Sequence, residues 1–85
     1  MQVAIIGAGS FGTVLADIAA HNECDVRMYA RREEMVDAIN TLHRNPQYHP
    51  DLELHASIVA SSRLSAVVSG ADLVLLSVPS RSMDA

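Results

Sequence analysis

Three glycines at fixed spacing, in Gly7-Ala8-Gly9-Ser10-Phe11-Gly12, constrain this chain more than any other feature. They follow a short β-branched run, Gln2 to Ile6, and open a stretch in which Phe11, Val14, Leu15, Ile18 and Ala19 recur at helical spacing. The spacing alone is common. Between a strand and a helix, inside a unit of about 30 residues, it specifies a tight strand-to-helix turn. Gly7 permits the bend, Gly9 lets a ligand approach the backbone with no Cβ between, and Gly12 allows close helix–strand packing. Amide groups near Ser10 to Thr13, with the positive end of the helix dipole, make a seat for an anion. The plainer alternative is a glycine-rich turn with no ligand.

Further along, His21 and Asn22 mark the end of the first helix, and Val26 to Ala30 reads as a second strand. Met35, Val36, Ile39 and Leu42 mark a second amphipathic helix. His43 to Leu54 contains Asn45-Pro46 and His49-Pro50 and reads as loop. A third, shorter strand is expected over His55 to Ala60. Ser61 or Ser62 then caps a brief helix carrying Leu64, Val67 and Val68 inward, closed by Gly70. Ala71 to Val78 is the clearest strand, apolar on both faces, and Pro79 ends it.

This alternation requires parallel strands joined by right-handed crossovers, and predicts the strand order 3-2-1-4. The class is α/β: a Rossmann-type parallel sheet, the first part of a doubly wound dinucleotide-binding domain. Its ligand crevice lies at the switch point between strands 1 and 4. At 85 residues the chain is about half of a two-part domain of this kind. Residues 1–85 are thus expected to form the N-terminal part of a dinucleotide-binding domain. Two helices cover one sheet face and only a short one the other, so much of that second face should be bare. Such a face normally needs further chain or a partner to cover it, so the 85 residues alone are expected to be marginal or self-associating.

The residues after strand 2 bear on the choice of dinucleotide. NAD sites place a carboxylate there to hold the ribose 2′-hydroxyl. Here the sequence is Tyr29-Ala30-Arg31-Arg32, with no carboxylate before Glu33. Two guanidinium groups suit a 2′-phosphate, which Arg holds bidentately. NADP is therefore favoured, with NAD possible; the opposing reading has both Arg solvated and balancing Glu33 and Glu34.

Other function classes find little support. The net charge is −4, with no lysine anywhere, which argues against nucleic acid and against an anionic membrane surface. No apolar run approaches the roughly 20 residues a spanning helix needs, and no basic segment precedes the first strand. Cys24 is the single cysteine, in keeping with a reducing cytoplasm. His43, His49 and His55 are evenly spaced, but two prolines and no shared face argue against a metal. Asp17 and Asp72 do not pair, and Ser77 has no His-Asp partner, so no catalytic residue is assigned.

With these residues in hand, the chain resembles the bacterial-type NAD(P)-dependent glycerol-3-phosphate dehydrogenases. The resemblance runs from Gly7-Ala8-Gly9-Ser10-Phe11-Gly12-Thr13 through Arg31-Arg32 and the loop His43-Arg44-Asn45-Pro46-Gln47-Tyr48-His49-Pro50. It closes on Ala71-Asp72-Leu73-Val74 and Val78-Pro79-Ser80. Phe11 stands where the family commonly has Trp, and His49 where it usually has Leu. The resemblance implies cytoplasmic reduction of dihydroxyacetone phosphate to sn-glycerol 3-phosphate with NAD(P)H, feeding phospholipid synthesis. It implies that Ser10 and Phe11 meet the pyrophosphate region and Arg31 and Arg32 the adenosine end. Tyr48 would border the adenine, and Val78 and Pro79 the nicotinamide ribose. The family's catalytic Lys and helical substrate domain have no counterpart in these residues, so this chain alone is expected to be inactive. Two alternatives are a ketopantoate reductase-like enzyme, opposed by the Asn45 to Pro50 loop, and a non-catalytic nucleotide-sensing module, opposed by Arg31-Arg32.

Overall fold

The computed structural model describes residues 1–47 and 50–77. Strand β1 (Gln2–Ile6) is rich in β-branched residues, which suit a pleat covered on both faces, and Val3, Ala4 and Ile5 are buried. It pairs in parallel with β2 (Asp25–Tyr29), Gln2 opposite Asp25 through Ile6 opposite Tyr29. On its other side lies β4 (Leu73–Leu76), Val3 opposite Leu73 through Ile6 opposite Leu76. Strand β3 (Val59–Ser61) adds to the far side of β2, giving the order β3-β2-β1-β4 expected from the alternation. Parallel neighbours need crossovers, supplied by α1 (Ser10–His21), α2 (Glu33–Asp37) and α3 (Leu64–Val68).

Helix α1 meets the sheet through small residues. Gly12, Thr13, Ala16 and Ala20 are its buried positions, while Phe11 and Ile18 are 69 % and 54 % exposed. Of the inward face expected at Phe11, Val14, Leu15, Ile18 and Ala19, Leu15 and Ala19 pack half-buried against the core, whereas Phe11 and Ile18 turn out to solvent. Val3, Ile5, Val26 and Met28 already fill the layer between helix and sheet. At close-packed density that leaves room only for a hydrogen or a methyl at Gly12, Ala16 and Ala20. The helix closes as expected near Asn22. Glu23 takes φ +66°, and the Cys24 N–H donates back to the Ala19 carbonyl at 3.1 Å.

Helix α2 buries Met35 and Val36 and continues into a π turn over Ala38–Leu42, ended by His43 at φ +56°. The wider turn swings Leu42 off the inward line that 3.6-residue spacing predicts, leaving it exposed. The prolyl loop is not mere connection, since Leu54 and Ile58 pack into the core on the same face as α1 and α2.

Strand β3 is shorter than the expected His55 to Ala60, because Ile58 N–H still closes a turn on the His55 carbonyl at 3.1 Å. Neither Ser61 nor Ser62 caps α3. Arg63 precedes the helix, Ser61 Oγ accepts from the Arg63 N–H at 3.1 Å, and Ser62 Oγ donates to Glu33. Val67 is buried and Gly70, at φ +77°, ends the segment as expected, but Leu64 faces outward. Strand β4 lies inside the expected Ala71 to Val78, of which Val78 is outside the described residues. Leu73, Val74 and Leu76 are exposed, Leu76 by 75 %; Val74 and Leu76 share the face expected to be bare from the helix distribution, while Leu73 lies on the opposite one.

Candidate functional site

The glycine turn sits where β1, β2 and β4 end together. Gly7 N–H donates to the Tyr29 carbonyl at 3.1 Å, and Ser77 N–H continues the β1–β4 ladder by donating to Ile6 at 2.9 Å. The three glycines then separate by cause. Gly7 adopts φ +117°, and a Cβ there would run into the Ser77 carbonyl. A Cβ on Gly12 would lie 2.8 Å from the Gly7 carbonyl oxygen and 2.8 Å from Ser77 Oγ. Gly9 has neither constraint. Its φ of −77° and ψ of −174° suit any residue, and among the described residues nothing lies within 4 Å of its missing Cβ. Packing therefore explains Gly7 and Gly12, whereas Gly9 opens onto empty space beside the start of α1.

No side chain caps α1 at Gly9, and its first turn carries no acid, so neither of these offsets the positive helix end. Ser10 and Phe11 lie exposed at this turn.

Two residues that sequence reasoning did not single out hold the turn from behind. Asn45 is fully buried; its Nδ2 donates to the Ala8 carbonyl at 2.8 Å and to Thr13 Oγ1 at 2.7 Å. Thr13 Oγ1 in turn donates to the Gly9 carbonyl at 2.7 Å. The available signal was an Asn-Pro in a polar loop and a Thr directly after the last glycine. Neither says that they meet.

At the end of β2, Arg31 and Arg32 are both exposed. Arg32 Nε stands 3.9 Å from Glu34 Oε1, with both side chains largely in solvent, a pair worth under about 1 kcal/mol. Glu33 is turned toward Ser62. Arg32, Glu34 and Met35 form one wall of an open cleft of about 330 Å³, closed opposite by Pro46 and Gln47. Of the residues assigned by sequence, Gly7, Gly9, Ser10, Phe11 and Gly12 thus share one turn, and Arg32 lines the cleft beyond the end of β2. Tyr48, Val78 and Pro79 lie outside the described residues. Among the described residues no three His, Cys, Asp or Glu converge on a metal-sized site, and no helix is long and apolar enough to cross a membrane. His55 Nδ1 instead contacts Ser57, and its ring packs edge-on against His21 at 5.1 Å.

Comparison with known proteins agrees with this geometry. Residues 2–85 match the family model described as the NAD-dependent glycerol-3-phosphate dehydrogenase N-terminus. A glycerol-3-phosphate dehydrogenase [NAD(P)+] of Corynebacterium aurimucosum is 49 % identical over 82 residues, covering 96 % of this chain and 25 % of that protein. The enzyme of the same name from Bacillus velezensis is 42 % identical over 82 residues, again 96 % of this chain and 24 % of its own length. Among solved structures, glycerol-3-phosphate dehydrogenase of Plasmodium falciparum superposes with TM-score 0.86 at 32 % identity, over 99 % of this chain and 26 % of that one. The Coxiella burnetii enzyme gives 0.84 at 33 %, over 93 % and 24 %. The chain spans about a quarter of the length of these relatives. It belongs to the NAD-dependent glycerol-3-phosphate dehydrogenase N-terminal family and carries that family's Rossmann-type parallel sheet.

Proposed function

We propose that this chain is the cofactor-holding part of a reductase that converts dihydroxyacetone phosphate to sn-glycerol 3-phosphate with NAD(P)H, supplying phospholipid synthesis in the cytoplasm. The observation that carries the cofactor reading is Gly9, the one glycine of the motif with no internal reason to be glycine. A pyrophosphate lying against its backbone supplies the reason. In this reading Gly7, Gly9, Ser10, Phe11 and Gly12 form the pyrophosphate turn, Tyr48 borders the adenine, and Val78 and Pro79 approach the nicotinamide ribose. The bound cofactor supplies the hydride. A carbonyl accepting it needs a cation or proton donor at its oxygen. The family's lysine for that role has no counterpart in a sequence without lysine, so the chain binds without turning over.

The cofactor is NADP in preference to NAD, because Arg31 and Arg32 are exposed and, among the described residues, the one ion pair either makes is the weak surface contact of Arg32 with Glu34. Titrating the chain with NADPH and NADH at moderate salt tests this. NADPH should bind more tightly, and changing Arg31 and Arg32 together to Ser should bring the two affinities level. Equal affinities in the unmodified chain would refute the preference, and failure to bind either would refute the dinucleotide reading. The apolar face beside β4 is the second expected contact surface, toward further chain or another copy.

A further inference from the structure

We propose that Asn45 is the positioning residue of the phosphate turn, aiming two consecutive backbone amides, one directly through the Ala8 carbonyl and the next through Thr13; this rests on the dinucleotide reading above. A trans peptide is planar, with its C=O and the following N–H pointing in opposite directions. Fixing a carbonyl therefore fixes the amide behind it. Asn45 Nδ2 holds the Ala8 carbonyl at 2.8 Å, which sets the direction of the Gly9 N–H. Its second contact, with Thr13 Oγ1 at 2.7 Å, orients that hydroxyl so that its proton goes to the Gly9 carbonyl at 2.7 Å. The Gly9 carbonyl also accepts the Thr13 N–H at 3.0 Å. This double anchor sets the direction of the Ser10 N–H.

Both anchoring side chains are fully buried. Water cannot replace a lost partner cheaply there, and the chain of donors strengthens as it runs. Gly9 needs such support because it has no side chain to restrict it. The opposite side of Asn45 is tied as well. Its Oδ1 accepts the Gln47 N–H at 3.2 Å, and Gln47 and Pro46 form the wall of the cleft facing Arg32. One buried amide thus joins the phosphate turn to the wall of the Arg32 cleft, two parts of the site that are far apart in sequence.

The test uses the whole chain with Asn45→Ala, Thr13→Val, Thr13→Ser and the Asn45→Ala/Thr13→Val double variant, each titrated with NADPH and NADH. Titrations run well below the melting temperature of each variant, so that folding losses do not enter. Thr13→Val keeps the side-chain shape and removes only the hydroxyl, and it decides the matter should Asn45→Ala fail to fold. Asn45→Ala and Thr13→Val are each expected to raise Kd about tenfold, the scale of one misdirected hydrogen bond. Acting through one relay, the pair should be no worse than the weaker single variant. Thr13→Ser should stay within about twofold of the unmodified chain, since it restores the donor. Amide exchange at Gly9 and Ser10 in the cofactor-free chain should quicken in the first two variants and not in Thr13→Ser. A lowered melting temperature with unchanged Kd would make Asn45 merely structural and overturn the proposal, as would a multiplicative loss of about a hundredfold in the double variant. If the unmodified chain binds neither cofactor, the dinucleotide reading itself falls; if it binds and the variants bind equally well, only the role of Asn45 does.

Discussion

Ser77 Oγ lies 2.8 Å from the point where a Cβ on Gly12 would sit. The last described residue beyond β4 therefore dictates a residue choice at the start of α1, near the other end of the chain. The contact is possible because β4 returns beside β1 in parallel and both strands end at the same level. Helix α1 leaves from that level, so its first turn must pass over Ser77 with no more than a hydrogen between.

The glycine motif should consequently split by readout. Gly7→Ala combines a strained positive φ with a backbone clash, and is expected to cost about 3 kcal/mol or more. Gly12→Ala should cost about 1–3 kcal/mol from overpacking, offset by up to about 1 kcal/mol of helix propensity. Gly9→Ala, in an ordinary conformation facing open space, should stay within about 0.5 kcal/mol of the unmodified chain. Urea unfolding gives the three values. Cofactor titration should then show Gly9→Ala as folded but weakly binding. A Gly9→Ala chain as unstable as Gly12→Ala would show that Gly9 is structural after all.

The two edges of the sheet are treated differently. On β3 the Asn40 side chain occupies both free backbone groups of Ala60, accepting its N–H at 2.8 Å and donating to its carbonyl at 3.0 Å. Asn40→Ala should destabilise the chain by about 1–3 kcal/mol, with two backbone groups left unpaired. Asn40→Asp, which keeps the acceptor only, should fall between. Thermal and urea unfolding of the two variants would measure this; no change in either would mean that water serves Ala60 equally well.

Strand β4 has no such cover among the described residues. An apolar edge strand without a charge is a template for further pairing. Sedimentation of the chain should depend on concentration, and Val74→Lys with Leu76→Lys, both on one face of the strand, should shift it toward monomer. A unmodified chain that sediments as a monomer at every concentration would show this surface to be tolerated in water.

Glu23 ends α1 in the left-handed region at φ +66°. Glu23→Gly relieves that conformation and should stabilise the chain by about 0.5–1 kcal/mol. A rise in melting temperature is the expected sign, and a fall would mean that the Glu23 side chain makes a compensating contribution.

Sequence alone carried the strand order, the turn and the placement of Arg31 and Arg32 beyond β2, because each depends on local patterns: β-branched runs, glycine spacing, and the rule that alternating elements build a parallel sheet. It placed the inward face of α1 only in part. Of the expected face, Leu15 and Ala19 do pack half-buried against the core, but Phe11 and Ile18 are exposed, and the closest approach to Val3, Ile5, Val26 and Met28 is left to the small Gly12, Ala16 and Ala20. It likewise misjudged Leu42, because a π turn leaves no mark in 3.6-residue spacing.

What only the tertiary structure decided are the contacts between segments distant in sequence: Ser77 against Gly7 and Gly12, and Asn45 reaching Ala8 and Thr13. Sequence spacing encodes the conformation each segment prefers. Which buried donor finds which carbonyl depends on how the packed layers bring the loops together, and that is settled by shape and by the cost of leaving a polar group unpaired inside.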